Sequence, residues 1–581
     1  MQKVLTAEQM RTVDRLTTER YGIPSILLME NAAHAVARVI EEKLGGSVKD
    51  RRILILCGKG NNGGDGAALA RILNEFGARV EVYVFGKIED SRGDARANFE
   101  RLSAIASTDL DSKGNLYLEA ALHLDYWVHT TGAELGDFDV AVDAIFGTGL
   151  NKHLHSGYGG VAYVWELRRR DADAETNTDT IRLSIDIPSG LFSDDANEPK
   201  IHLESDVTVT FTAPKTANIL PSACRSNGDL VIADIGSPQE LIDEQSSQLY
   251  LAEVSDAEKW LKESEFSSSD YKNKRGHALV IAGSESYSGA AVLAGNAAMR
   301  SGVGLVTLAV PAAIRSEVAA RALPDLIVRP FDDGGEVDFA ADAVLIGCGL
   351  DANDSANEAM FRKVVEERTT PVIVDAGGLW FFHGLTTDSV QPPATAGGSD
   401  GMQEPLRVSS PHVSEGSPQD ESCEMPPLIL TPHEGEFRRL LGETKNHPVG
   451  ETPPPLLGKE GSLKEDRVGA VREYAVANNV ILVLKGERVL IGAPDGRVVV
   501  NPTGNSGLGK AGNGDTLAGI LAGFVAQAVK FEIDIFDTVV AAVYVAGMAG
   551  DIAEKKYGKR VMTASDVREC LVDVFAELNA K

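Results

Sequence analysis

Cysteine is scarce in this chain and poorly placed for cross-linking: five residues in 581, at positions 57, 224, 348, 423 and 570, with no Cys-x-x-Cys pair. Neither a disulfide framework nor a cysteine zinc site is expected, and a reducing compartment fits. Positive charge is also in deficit, with 56 Lys and Arg against 85 Asp and Glu and a net charge of -29. Such a field opposes unspecific contact with nucleic acid or anionic membrane, leaving small molecules as the expected partners. No run reaches the roughly 18 apolar residues of a membrane span. The first ten residues, Met-Gln-Lys-Val-Leu-Thr-Ala-Glu-Gln-Met, lack the apolar core of a signal peptide. A soluble, cytoplasmic protein is the expectation.

What the chain does contain is enough apolar sequence, 43% hydrophobic residues, to fill two cores. Short continuous apolar runs at 53–57, 80–85, 140–145, 181–187, 207–211 and 230–235 alternate with helical patterns, as strands of a parallel sheet covered on both faces do. The rhythm breaks over a charged stretch and resumes with runs at 278–282, 305–310, 343–346, 372–374, 428–430 and 481–484, then apolar helices after Asn513 and Phe536. The expected fold class is therefore α/β: a Rossmann-like three-layer domain over 1–238, a linker over 239–270, and a second α/β domain over 271–581. Residues 386–427 and 443–466 are rich in small and polar residues and are expected to be insertions without chemistry.

Two segments carry the chemistry. Asn501-Pro-Thr-Gly-Asn-Ser-Gly-Leu-Gly-Lys-Ala-Gly-Asn-Gly-Asp515 leads into an apolar helix whose unpaired N–H groups and positive dipole end would face an anion. Asp515, in the first turn, is placed to take a proton from a hydroxyl attacking a terminal phosphate. The competing reading makes Asp515 a dipole-stabilising residue after a Gly-rich loop. In the first half, Gly58-Lys-Gly-Asn-Asn-Gly-Gly-Asp-Gly66 joins a strand to a helix, a phosphate-binding context. The next strand ends Val84-Phe-Gly-Lys87, without the acid that holds the ribose of a nicotinamide dinucleotide in a standard site, so ordinary hydride transfer is disfavoured. Asp143, Asp186 and Lys215 sit at further strand ends, where open α/β sheets bind ligands, although each acid alone could serve as a cap or turn residue.

These residues carry a resemblance. Leu5-Thr-Ala-Glu-Gln-Met-Arg-Thr-Val-Asp14, Leu28-Met-Glu-Asn31, the 60–66 loop, Val142-Asp-Ala-Ile-Phe-Gly-Thr-Gly149, Ile185-Asp-Ile-Pro-Ser-Gly190 and Thr210-Phe-Thr-Ala-Pro-Lys215 together resemble the NAD(P)H-hydrate epimerase family. The resemblance implies that Asn61, Asn62, Gly63, Gly64 and Asp65, with Gly147, Thr148, Gly149, Leu150, Asn151, Lys152 and His153, bind the hydrated dinucleotide, as does Asp186. It also implies that Asn62, Asp143 and Ser189 hold K+, a hard cation suited to oxygen ligands. Inversion at the hydroxyl-bearing C6 of the damaged ring needs an acid and a base. A cation-bound carboxylate is a poorer base, which ranks Asp186 and Lys215 above Asp143 as proton carriers.

The second half, through Lys274-Arg-Gly-His277, Gly283-Ser-Glu-Ser-Tyr-Ser-Gly-Ala-Ala291, Arg300-Ser-Gly-Val-Gly304, Leu430-Thr-Pro-His433-Glu-Gly-Glu436, Leu484-Lys-Gly486 and the 501–515 segment, resembles the NAD(P)H-hydrate dehydratase family of ribokinase-like fold. The resemblance implies that Ala290, Gly349, His433 and Asp515 contact the (S)-hydrate, and that Lys485, Gly486, Glu487, Arg488, Val489 and Gly514 contact the nucleotide. ADP or ATP would be the co-substrate with Mg2+, ADP being expected for the fused arrangement, and a homo-oligomer is expected. NADHX and NADPHX are then the substrates. His433 could instead be a turn residue after Thr431-Pro432.

Cys348, Asp351, Gly377, Gly378, Trp380 and Glu434 depart from the family pattern, the changes at 377 and 380 removing an Asp and an Asn near the expected pocket. A ribokinase-like vitamin or sugar kinase with an idle N-terminal domain is the alternative reading, and a nucleotide-binding interaction protein a third.

Overall fold

The computed structural model describes residues 1–106, 116–120, 138–166, 180–331, 340–382, 425–442 and 466–579. The expected insertions at 386–427 and 443–466 lie almost wholly outside these residues. The chain forms two compact units, Met1–Leu251 and Ala252–Lys581.

In the first unit seven strands lie in the order Leu116–Ala120, Arg79–Val84, Arg52–Cys57, Val140–Ala144, Ile181–Ile185, Val207–Phe211, Asp229–Ala233. Every pair is parallel. The continuous apolar runs are explained by burial on both faces. Ile53, Ile55 and Cys57 face the helices Ser25–Lys43, Asn61–Glu75 and Gly93–Ser103, whereas Leu54 and Leu56 face Val161 and Trp165 of the helix Ser156–Glu166. The result is three layers. The strand order reverses between Arg52–Cys57 and Val140–Ala144, and ligands bind such sheets at the crevice this reversal opens beyond the strands' carboxyl ends.

The stretch expected to be a linker is structured. The helix Gln239–Asp243 buries Leu241 and Ile242 against Leu5, Met10, Val13 and Ala213, and Leu249–Leu251 pairs antiparallel with Gln2–Lys3. The first unit therefore extends to Leu251, because the charged run hides an apolar stripe too short to stand out. The strand Leu116–Ala120 also lies outside the expected set, since an edge strand alternates Leu116 and Leu118 with half-buried Tyr117 and Glu119 instead of running apolar throughout.

In the second unit the order is Val498–Val500, Leu490–Gly492, Ile481–Leu484, Leu428–Leu430, Val372–Val374, Ala343–Ile346, His277–Ile281, Leu305–Pro311, Ile327–Phe331. The pairs are parallel except for the two made by Leu490–Gly492. Once more the order reverses between the first and fourth strands of the unit. Ile327–Phe331, half exposed and containing Pro330, and the two three-residue antiparallel strands carry too little apolar sequence to have been anticipated.

The helix Ile535–Tyr557 is long and apolar enough by length and composition to cross a membrane, contrary to the reading of the sequence. Its apolar character is that of a core element: Val539, Val540, Val543 and Val545 are buried, and it packs on the helices Val254–Glu263 and Asn513–Phe531. Trp260 stacks on Phe524 at 3.9 Å between centroids and donates its indole N–H to Thr538 Oγ1 at 3.2 Å.

Close contact between the helices Ser288–Arg300 and Asn513–Phe531 fixes where Asp515 stands. A Cβ on Gly519 would come within 2.2 Å of the Ala294 carbonyl oxygen, and one on Gly523 within 1.8 Å of Ser301 Oγ. Gly519→Val is expected to push the two helices apart and lower the stability of the second unit by about 1–3 kcal/mol, read as a reduced urea midpoint for that unit.

Candidate active sites

At the reversal point of the first unit a cavity of about 520 Å³ is lined by Met10, Arg11, Asp14, Lys59, Asn61, Asn62, Asp65, Asp94, Gly147, Thr148, Gly149, Leu150, Asp186 and Lys215, among others. Gly63 and Gly64 lie buried behind it in the helix Asn61–Glu75. Asn151, Lys152 and His153 are not among its lining residues, and the His153 ring packs edge-on to Phe192 at 5.0 Å.

Asp186 follows the strand Ile181–Ile185 in the left-handed region, at φ 68°. This conformation costs a non-glycine residue energy that the surrounding structure must supply, and here it turns the carboxylate into the cavity. Its Oδ1 accepts from Lys215 Nζ at 2.8 Å and from Thr210 Oγ1 at 3.2 Å, and its Oδ2 from the Thr148 N–H at 3.1 Å. Lys215 is 1% exposed and spends its three donors on Asp186, Thr210 Oγ1 and the Phe211 carbonyl. All three ammonium protons are therefore committed.

Asp143 and Ser189 are buried and absent from the cavity lining. The two oxygens of Asp143 accept from Ser189 Oγ at 2.6 Å, the Ser189 N–H at 2.7 Å, Ser184 Oγ at 3.1 Å and the Ile145 N–H at 3.1 Å. Every one of these donors is neutral, and burial raises the Asp143 pKa against their opposing pull. Asn62 lines the cavity with its Nδ2 buried and without a hydrogen-bond partner.

Three other carboxyls, Asp94, Asp65 and Asp14, face the same cavity. Burial, with Asp186 and Asp14 adding repulsion, holds Asp65 well above the usual carboxylate range. Asp14, on the helix Ala7–Tyr21, is pushed up to about 6 by burial, with Lys215 opposing and Asp186 adding to the shift. In the sequence Asp14 stands out only as part of a motif. Its signal in the sequence was a lone acid four residues after Met10, on a helix face where Met10, Val13 and Thr17 are buried.

The second centre gathers at the carboxyl ends of the other sheet. Asp515 stands in the first turn of the helix Asn513–Phe531, whose cap residue Gly512 offers no side-chain hydrogen bond to the free N–H groups. Those donors are left for a ligand. Behind them, the loop is tied down by Asn505, whose side chain bonds Gly550 O at 2.9 Å and Asp551 Oδ1 at 3.0 Å. Lys510 turns aside to the carbonyls of Arg560 and Met562.

Lys485 Nζ lies 2.6 Å from Asp375 Oδ1, which also accepts from Thr431 Oγ1 at 2.8 Å. Burial works against the lysine's charge, but Asp375 and Glu436 outweigh it and raise the Lys485 pKa. A Cβ on Gly514 would lie 3.5 Å from Lys485 Nζ and 3.8 Å from Asp375 Oδ2, so this ion pair borders the helix start directly. The carboxyls of Asp375 and Asp515 and the Cys348 thiol fall within 4.8 Å of one another. Burial, then Asp375, push Asp515 up to about 6.

Ala290 and Gly349 meet, since a Cβ on Gly349 would be 2.8 Å from Ala290 Cβ. Glu487, Arg488 and Val489 form the turn between the strands Ile481–Leu484 and Leu490–Gly492, with Arg488 at φ 54° and bonded to Pro502 O. His433 caps the helix Glu434–Leu440, its Nδ1 accepting from the N–H groups of Gly435 and Glu436 at 3.0 and 3.2 Å. It also bridges to Lys485 through the backbone, so its structural duty and its place at the site coexist. Of the departures from the family pattern, Cys348 enters the centre, whereas Trp380 lies beneath the Arg439 guanidinium, Glu434 pairs with Arg438, and Asp351 Oδ1 accepts from the Asn353 N–H. Asp375 itself was missed, although an acid directly after the strand Val372–Val374 is the pattern that singled out Asp186.

Two family models match the chain: one described as YjeF-related protein N-terminus over residues 25–217, the other as NAD(P)H-hydrate dehydratase over 278–393 and 413–572. A bifunctional NAD(P)H-hydrate repair enzyme from Moorella thermoacetica is 34% identical, the alignment covering 99% of this chain and 97% of the relative. Its counterpart from Salinibacter ruber is 31% identical over 99% and 96%. A crystal structure of an ADP/ATP-dependent NAD(P)H-hydrate dehydratase from Bacillus subtilis, co-crystallised with ATP and Mg2+, is 26% identical, covers 57% of this chain and 98% of that one, and has a TM-score of 0.43. With identity above 30% along essentially the whole length of both chains, this chain belongs to the family of bifunctional NAD(P)H-hydrate repair enzymes.

Proposed function

We propose that the first unit interconverts the (R)- and (S)-hydrates of NADH and NADPH, and that the second dehydrates the (S) form while consuming ADP or ATP. The observation that carries this division is the pair of separate centres, each at its own sheet's reversal point. In one, carboxylates line a cavity whose buried lysine, Lys215, is committed to Asp186, Thr210 and Phe211; in the other, a lysine and an aspartate flank an open helix start.

In the second unit Asp515 takes the proton of the C6 hydroxyl as that oxygen attacks the nucleotide's terminal phosphorus. Lys485 and the N–H groups at the helix start hold the phosphates. The C6–O bond then breaks with its electron pair leaving on phosphate, and loss of the C5 proton restores the ring double bond. With ADP the products are AMP, phosphate and NAD(P)H. Phosphorylation is worthwhile because hydroxide is a poor leaving group: phosphate, with a second pKa of about 6, is better than water at about 15.7 by about ten units. If half of that is expressed in the transition state, the gain is on the order of 6 kcal/mol. The Asp375 carboxylate fits Mg2+, which takes one or two protein carboxylates alongside substrate phosphates, leaving Asp515 free to act as the base, whereas the Cys348 thiol is too soft a donor. Bound there, Mg2+ would neutralise charge on the phosphates.

In the first unit Asp186 serves one face of the ring, receiving the proton of the water that returns to C6. Lys215, with its donors committed, holds that carboxylate oriented instead of carrying the proton itself. A buried Asp143 whose hydrogen-bond donors are all neutral fits a nearby K+, with Ser189 and Asn62 as oxygen donors that the same cation would use. Bound there, K+ would offset the buried charge.

The reading is tested by the return of NADH absorbance from a mixed (R)/(S) hydrate with ADP or ATP, Mg2+ and K+. Complete and fast return supports both activities; accumulation of a stable phosphorylated product would support a small-molecule kinase. Asp515→Asn is expected to lower dehydration at least a hundredfold while the hydrates still epimerise, and dehydration by the unmodified enzyme should fall as pH drops through about 6, where the base becomes protonated. Lys215→Met leaves Asp186 buried without its cation. It should cost the first unit about 3–5 kcal/mol, seen as an earlier denaturation transition, along with most of the epimerisation rate.

A further inference from the structure

If one face of the ring is served by Asp186, the opposite face needs a second group to carry a proton. Epimerisation breaks the C6–O bond with the hydroxyl leaving as water and an iminium forming between N1 and C6. Water then adds to the other face and gives up a proton. One group must donate and another accept, and the reverse reaction exchanges the two roles.

We infer that Asp14 is this second proton carrier, donating to the departing hydroxyl when Asp186 receives from the incoming water, and the converse in reverse. Three observations meet on it. Asp14 lines the 520 Å³ cavity together with Asp186 and Lys215. Its Oδ1 is buried and has no hydrogen-bond partner, an arrangement that proteins rarely leave in place unless a ligand or water supplies the missing one. Its helix is fixed at the start by a Thr6–Gln9 capping box and by the Ala7 N–H bonding Asp194 Oδ1 at 2.8 Å, so the carboxyl is held at the cavity wall.

The other groups facing this space set the proton balance. Asp65 and Asp94 join Asp14 and Asp186, against the cations Lys215, Lys59 and Arg11. Lys215 is bonded to Asp186, and Asp14 Oδ1 has no hydrogen-bond partner among the described residues. The raised pKa of Asp14, about 6, agrees with a group that both gives and takes a proton near neutrality. Lys215 is unsuited to the task because its three donors are committed, and Asp186 alone cannot serve both faces.

This inference rests on the first unit being an epimerase, and the test separates the two. Using the full chain, epimerisation is followed by consumption of the (R)-hydrate and by incorporation of 18O from labelled water at C6. If the unmodified enzyme shows neither, the epimerase reading itself fails. If it shows both, Asp14→Asn is compared with it. The expected result is a drop in kcat of at least a hundredfold, with hydrate binding measured by fluorescence or calorimetry changed less than threefold.

The pH profile supplies a readout that a structural role would not move. The active state holds one proton between Asp14 and Asp186, so the unmodified rate in both directions should fall as pH rises through about 6. In Asp14→Glu, which keeps a carboxyl, that limb should persist with partial activity. Asp14→Asn with an unchanged kcat, or with binding lost in parallel with turnover, or a limb absent from the Glu variant that retains activity, would overturn the assignment.

Discussion

Both centres depend on the same costly interaction, a lysine and an aspartate paired away from bulk water at the carboxyl ends of parallel strands, both buried in the first unit and with the lysine half-buried in the second. Lys215 and Asp186 form one pair at 2.8 Å, Lys485 and Asp375 the other at 2.6 Å. In each unit the aspartate follows the fifth strand and lies near the reversal of strand order. Removing two such charges from water costs several kcal/mol apiece, and their mutual attraction offsets this only when the remaining donors and acceptors are satisfied. The surroundings meet that condition: Thr210 and Phe211 complete Lys215, and Thr431 completes Asp375. The neighbouring geometry, including the left-handed Asp186 and the loop anchored by Asn505, becomes intelligible as the scaffolding such a pair requires.

The pairs leave other acids uncompensated. Asp14 and Asp515 each lie beside an ion pair without being its main partner, and each is raised toward neutrality by burial. A lysine already satisfied by one carboxylate screens the next one only in part. One arrangement thus yields two kinds of carboxyl at each centre, one bonded to the lysine and one beside the pair that burial raises toward neutrality.

Much of this was legible in the sequence, for definite reasons. Strands buried on both faces announce themselves as unbroken apolar runs, and four in the second unit, Ala343–Ile346, Val372–Val374, Leu428–Leu430 and Ile481–Leu484, coincide with the runs read there. Asp515 was visible because a glycine-rich loop and an apolar helix bracket it. Illegible were the elements whose burial is one-sided or brief, such as Leu116–Ala120, where Tyr117 and Glu119 are only half-buried, and Gln239–Asp243, where three of five residues are polar. Asp14 and Asp375 escaped for another reason. Their importance lies in what tertiary packing sets beside them, Lys215 and Lys485 being 201 and 110 residues away in the chain.

Cys348 stands within reach of Asp375 and Asp515, yet like Cys57, Cys224 and Cys570 it is buried, and burial with the adjacent carboxylates pushes its thiol far above neutrality. The thiolate is the form that oxidants attack. Burial raises the Cys57 and Cys570 thiols as well, so a protein that restores reduced nicotinamide cofactors keeps its described sulfhydryls buried, and an oxidant reaches Cys348 only after that unit opens. The durability of this centre under oxidising conditions is consequently a matter of folding kinetics rather than of thiol chemistry.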